Sequence, residues 1–290
     1  MLKKYALAVF FLLAYLFTWS NWLPQALVSR GLTSAQVPGL LSLLAGYGPA
    51  LAAVLVAWLG YGRQGLRDLF GRLLRWRVGS RWYLTALFLP VLITTLAILL
   101  NTYWLGGAAP DFSAAAFPFG PAETPLWQKI LILFLVFTLG FDGLGEELGW
   151  RGFALPRLLE RYTPLASSLI LGVLWAVWHF PYALTKGSFL SAVPLHWFVL
   201  NLLAVSIIYT WIFINTQGSL LPVLLFHASG NTTSNLLPIL PPAATDLRIY
   251  YITIVMNWLI ALVIFFVSFR SARSLEHIPG LRTSSEQSPT

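Results

Sequence analysis

An all-α, polytopic transmembrane helix bundle of about eight spans is the fold class this sequence predicts, and three observations predict it. Hydrophobic residues make up 58% of the 290-residue chain and charged residues only 10%, against about 25% charged in a soluble domain. The apolar residues run continuously in Leu, Ala, Val and Phe at span length, roughly 20 residues, where barrel strands would alternate in shorter segments. Basic residues, finally, are distributed unevenly between the connections.

Taken in order, spans are expected near residues 5–23, 37–60, 82–101, 127–143, 164–184, 194–214, 219–237 and 249–270. The first begins at Lys3-Lys4 like a secretion signal, but its apolar run is long and no small-residue cleavage site follows, so a retained helix is expected. After the second span, Leu66, Leu69, Phe70, Leu73 and Leu74 recur at helical spacing beside Arg63, Arg67, Arg72 and Arg75. This is the pattern of an interfacial helix at an anionic leaflet. Residues 105–126 are rich in Gly, Ala, Pro and Phe, with Asp111 and Glu123 as their charges, and read as an external connector. The remaining spans follow one another with short connections, giving one integral membrane domain over 1–273. The tail 274–290, ending TSSEQSPT, reads as disordered and cytoplasmic.

An even number of spans puts both termini on one side. With the N-terminus cytoplasmic, Lys3, Lys4, Arg63, Arg67, Arg72, Arg75, Arg77, Arg81, Arg151, Arg157, Arg161, Arg270, Arg273 and Arg282 fall inside, and Arg30, Lys129, Lys186 and Arg248 outside. That asymmetry follows the positive-inside tendency, so both termini are expected in the cytoplasm. The net charge of +8 is then a topology signal, and a nucleic-acid partner is not expected. With no cysteine in the chain, disulfides, thiolate ligands and a cysteine nucleophile are excluded.

Ionisable residues inside hydrocarbon are expensive and mark functional sites by default. Three clusters stand out: Glu146-Glu147-x-x-x-Arg151, His179 within LWAVWHFP, and His227-x-x-x-Asn231. On a helix Glu147 and Arg151 are four apart and can pair, while Glu146 points about 100° away, free for chemistry. The first cluster is expected where the fourth span reaches the cytoplasmic side. His227 and Asn231 share one helix face. Singly, each cluster also fits a structural role, as solvated charges, a hydrogen-bonded core histidine or interhelical glue.

Together the three motifs resemble the CAAX-protease and bacteriocin-processing family of intramembrane proteases, which includes the Ras-converting prenyl-protein endopeptidases. The family pattern is Glu-Glu-x-x-x-Arg, then an aromatic residue four before a His, then His-x-x-x-Asn, on successive membrane helices. Here Glu146, Glu147 and Arg151, then His179, then His227 and Asn231 supply it in order. Trp175 stands where the second motif usually carries Phe. The resemblance implies that Glu146 and His179 orient and deprotonate water, that His227 and Asn231 stabilise the oxyanion, and that Glu147 and Arg151 support them. Sequence leaves open an exchange of roles between the two carboxylates.

Glu146, His179 and His227 also make up the His2Glu ligand set of a catalytic zinc site, yet HExxH is absent. Zinc and metal-free mechanisms both remain open. The expected partners are membrane lipid and a peptide or protein near the cytoplasmic leaflet, reached through a cytoplasmic opening bounded by spans four to seven. The expected location is a prokaryotic plasma membrane. Two alternatives remain: a proton- or ion-coupled transporter, and a non-catalytic relative acting as a scaffold or in bacteriocin immunity.

Overall fold

The computed structural model describes residues 2–34, 38, 45–108, 117, 119–121, 123–140, 142–237, 239 and 246–269, and those residues form helices with no strand among them. The disordered tail expected over 274–290, Arg270, Arg273, Arg282, Asp111 and the start of the second span lie outside the described residues. The long helices are α1 (Leu2–Ser29), α2 (Gly48–Gly71) and α3 (Ser80–Tyr103). Next come α4 (Leu126–Leu135), α5 (Gly143–Gly149), α6 (Leu155–Leu159), α7 (Pro164–Trp178) and α8 (Phe180–Leu184). The chain then forms α9 (Leu195–Asn215), α10 (Leu221–Leu236) and α11 (Arg248–Ile264).

Each of the eight expected stretches carries helix. Among the described residues, four helices are long and apolar enough to cross a membrane: Lys3–Ser29, Ser80–Tyr103, Leu195–Asn215 and Arg248–Phe269. Pro164–Trp178 is apolar but shorter. This is a multi-pass membrane architecture. The α2 helix bends at Gly62, whose φ of 61° is available to glycine at no steric cost. The bend separates its apolar part from the arginine-bearing turns, as the amphipathic pattern predicts.

Where the sequence suggests a fourth span ending at residue 143, the structure shows a discontinuous one. The α4 helix loosens into a π turn at Val136–Gly140, α5 follows, a second π turn covers Trp150–Ala154, and α6 ends at Leu159. Such turns interrupt the regular ladder and often occur at functional sites. The first cluster is buried inside the bundle, with Glu146 4% exposed and Glu147 and Arg151 fully covered. Its depth is fixed by Trp150, which packs edge-on against Phe10 of α1 at 5.6 Å between centroids.

Two glycines hold α5 in place. A Cβ on Gly145 would lie 2.6 Å from the Gly46 carbonyl oxygen, and one on Gly149 would lie 2.5 Å from Pro49 Cβ. Spaced as Gly-x-x-x-Gly, they let the backbone of α5 approach the start of α2 closely, as small residues do between membrane helices. The neighbouring Glu146 and Glu147 are thereby turned toward α7 and α10. A similar contact joins α7 to α9, where Ser206 Oγ donates to the Ser168 carbonyl at 2.8 Å.

The bundle has two chemically different ends. At one, Lys3 and Arg157 both lie over the Tyr61 ring, Arg75 donates to the Gln217 carbonyl, and the Leu220 amide donates to the Arg72 carbonyl. At the other, Arg30 donates to the Leu184 carbonyl, the Lys186 amide donates to Ser29 Oγ, and Tyr250 and Tyr251 of α11 meet Phe189 and Trp197.

Candidate active site

The three motifs, far apart in sequence, meet around one indole. Trp175 Nε1 donates to Glu146 Oε2 at 2.5 Å, and Trp150 Nε1 reaches the same oxygen at 3.3 Å. The Trp175 ring also lies 5.8 Å from His179 and 6.0 Å from His227, centroid to centroid. Glu146 from α5, His179 at the end of α7 and His227 from α10 therefore share one neighbour. Asn231, a turn beyond His227, completes the set.

Glu147 is fully buried and tied down. Arg151 Nη1 donates to both its oxygens, at 2.8 and 3.1 Å, forming the i,i+4 pair the sequence predicts. The Arg151 guanidinium is itself sandwiched between the faces of Trp175 (4.3 Å) and Tyr209 (4.0 Å), a desolvated cation–π contact that adds to the ion pair. His227 Nδ1 sits 2.8 Å from Glu147 Oε1. A carboxylate accepts only, so that nitrogen carries the proton and Nε2 faces the site.

His179 is oriented by its own helix. Its Nδ1 lies 2.9 Å from the Trp175 carbonyl, which can only accept. Nδ1 is thus the donor and Nε2 carries the free lone pair. Trp22, Trp178 and Phe198 enclose the ring at 6.1, 4.7 and 5.3 Å. Half-buried rather than buried, His179 keeps one side accessible.

Sequence reasoning missed three participants. Asp142, which belongs to none of the three motifs, accepts a hydrogen bond from Asn231 Nδ2 at 2.6 Å. That bond fixes the carboxamide and leaves its second N–H available. Trp175 is more than an aromatic spacer, because its indole N–H holds Glu146, which Phe could not do. Tyr209 covers the buried guanidinium, and no local motif marks it.

The His2Glu set, one of two readings open from sequence, is not gathered into a metal cluster among the described residues. Among the described residues no three His, Asp or Glu side chains are placed to hold a metal ion. One Glu146 oxygen is held by two indoles, while His179 and His227 each engage Nδ1 and keep Nε2 free.

The site is closed on one side. Toward the arginine-rich end, Trp150, Arg151, Phe153, Leu155, Phe213 and Leu220 are all at most 1% exposed. Asp142, His179 and Asn231, on the other side, are half-buried. A surface hollow lined by Leu74, Arg75, Trp76, Arg77, Val78, Thr216 and Gln217 lies at the arginine-rich end and contains none of the site residues.

A carboxylate, two imidazoles with defined donor nitrogens and a fixed carboxamide, set in a membrane bundle, are groups of the kind that peptide hydrolysis needs. Residues 126–233, which contain every one of these groups, match the model of the family described as type II CAAX prenyl endopeptidase, Rce1-like. A CAAX prenyl protease 2 of Methanococcus maripaludis is 26% identical over 243 residues, covering 81% of this chain and 86% of the relative. The chain is similar to this Rce1-like endopeptidase family and is a hydrolase.

If Trp175 acts by positioning Glu146, Trp175→Phe should lower kcat by about tenfold with little change in KM, the scale of one hydrogen bond to a charged group. Steady-state cleavage assays in detergent would measure it. Full activity in that variant would show that ring packing alone suffices.

Proposed function

We propose that this protein cleaves peptide bonds in membrane-associated, lipid-linked peptides, using water activated by Glu146 and His179. The observation carrying this reading is the Glu146 carboxylate held by Trp175 beside two imidazoles packed on the same indole. Water placed between the free Glu146 oxygen and His179 Nε2 gives up a proton as its oxygen attacks the scissile carbonyl carbon. The oxyanion so formed accepts hydrogen bonds from the second amide N–H of Asn231 and, in its imidazolium form, from His227 Nε2. Collapse of the tetrahedral species breaks the C–N bond, and the abstracted proton passes to the leaving amine. Glu147 and Arg151 fix His227 and touch no substrate atom.

The substrate we propose carries a prenyl or comparable lipid chain, by analogy with the prenyl protease named among its relatives. The partners are then lipid and peptide, in a prokaryotic plasma membrane, without nucleic acid. Mass spectrometry of membranes carrying wild-type or Glu146→Ala protein, at matched abundance, should show peptides truncated only in the wild type. Identical peptide profiles would remove the peptidase reading and leave a scaffold.

On this donor set, cleavage should persist in a metal-depleted preparation, followed by elemental analysis alongside activity. Loss on chelation with recovery on adding zinc would instead make Glu146, His179 and His227 metal ligands.

A further inference from the structure

We propose that the hollow between the α2–α3 connection and the α9–α10 turn binds the phosphate group of an anionic phospholipid headgroup. It measures about 350 Å³ and contains none of the residues assigned to peptide cleavage. Arg75 and Arg77 form one wall, Thr216 and Gln217 the other, and no acidic residue is among the described residues that line it. Its lining charge is wholly positive.

The two walls are held together by backbone groups. Arg75 Nη1 donates to the Gln217 carbonyl at 2.7 Å, Ser219 Oγ donates to the Arg75 carbonyl at 2.5 Å, and the Leu220 amide donates to the Arg72 carbonyl at 3.0 Å. Gln217 presents its carbonyl from a φ of 55°, a conformation uncommon outside glycine. The hollow is thus a fixed feature of the fold.

A buried cation beside it is short of partners. Arg72 is 7% exposed and its Nη1 has no hydrogen-bond partner, although buried donors are nearly always satisfied. Arg72 and Arg75 converge over Gly218, where a Cβ would stand 2.5 Å from the Nη1 of one and 3.3 Å from the Nη1 of the other. Burial, then the Arg75 and Arg157 cations, pull the Arg72 pKa down to about 10, and Asp68 and Glu160 offset only part of that. Negative charge brought among these arginines relieves their repulsion. Phosphate suits the task, because its oxygens accept from several guanidinium N–H groups at once and match the planar fork of arginine.

The rim identifies the phosphate as a lipid's. Leu74 and Trp76, 77% and 60% exposed, flank the arginines, and offer apolar surface to an acyl chain beside the charged hollow. Tryptophan favours the headgroup level, and basic pockets against membrane helices take anionic headgroups. Because α10 starts at Leu221, directly after this turn, and carries His227, a bound headgroup would brace a helix of the catalytic site. The binding itself is independent of the peptidase reading.

The purified full-length chain in neutral detergent would be heated with phosphatidylglycerol, with phosphatidylcholine of the same chains, or with inorganic phosphate at matched ionic strength. Unfolding, followed by tryptophan fluorescence, should move up by about 3–5 °C with phosphatidylglycerol near tenfold saturation. Phosphatidylcholine should leave it unmoved. Each variant is read against its own lipid-free Tm. The shift should vanish in the double variant Arg75→Gln with Arg77→Gln, and shrink in Arg77→Gln alone, which breaks no backbone bond. It should persist in Arg63→Gln with Arg67→Gln, which removes the same charge from exposed turns outside the hollow. Equal loss in both double variants, or no shift with phosphatidylglycerol or inorganic phosphate, overturns the site. An equal shift with inorganic phosphate, lost in the same variants, overturns the lipid as its source.

Discussion

Glu146→Gln is expected to lower kcat for peptide cleavage by about 10²–10⁴-fold, the range lost when a positioned general base is removed. The amide keeps the shape of the carboxylate and an oxygen that can accept from Trp175 and Trp150, so the fold should be retained. Thermal unfolding in detergent should stay within about 1 kcal/mol of wild type, as for substitutions that create no cavity and no buried charge. That separation makes the variant informative. A Glu146→Gln protein cleaving at near wild-type kcat would show that the base is elsewhere, and His227, oriented by Glu147, would be the next group to test.

The second large effect is on stability. Glu147→Ala leaves the fully buried Arg151 guanidinium with two aromatic faces and no counter-ion, and removes the acceptor for His227 Nδ1. Breaking a buried pair by deleting one partner costs about 3–5 kcal/mol, which should appear as a marked fall in the unfolding temperature and in membrane abundance. Replacing both partners, as Glu147→Leu with Arg151→Met, should recover much of that stability, because apolar residues of similar volume can replace a buried ion pair at little cost. Activity should not return with it, since His227 has lost the carboxylate that orients it. A Glu147→Ala protein as stable and as active as wild type would contradict the buried pair described here.

The legible and the illegible parts of this site divide along a physical line. Glu147 and Arg151 could be paired from sequence because four residues of helix bring side chains to one face whatever surrounds them. The order of the three polar clusters carried the family resemblance, and residues 126–233 then matched that family. The Asp142–Asn231 bond and the grip of Trp175 on Glu146 join different helices, and no spacing encodes such contacts. The broken fourth helix was hidden for a related reason. The apolar run over residues 127–143 carries no mark of a break, whereas the π turns and the Gly145–Gly149 contact with the start of α2 depend on the neighbouring helix.

Composition alone determined the solvent, because a chain with so few charges must turn its apolar surface to lipid. The motifs supplied the chemical groups, and the distribution of Lys and Arg supplied an expectation of which end is cytoplasmic. Only tertiary packing decided which carboxylate is locked between Arg151 and His227 and which is held by the two indoles. Burial and closure belong to the whole bundle, since each depends on what the other helices place in front of a residue.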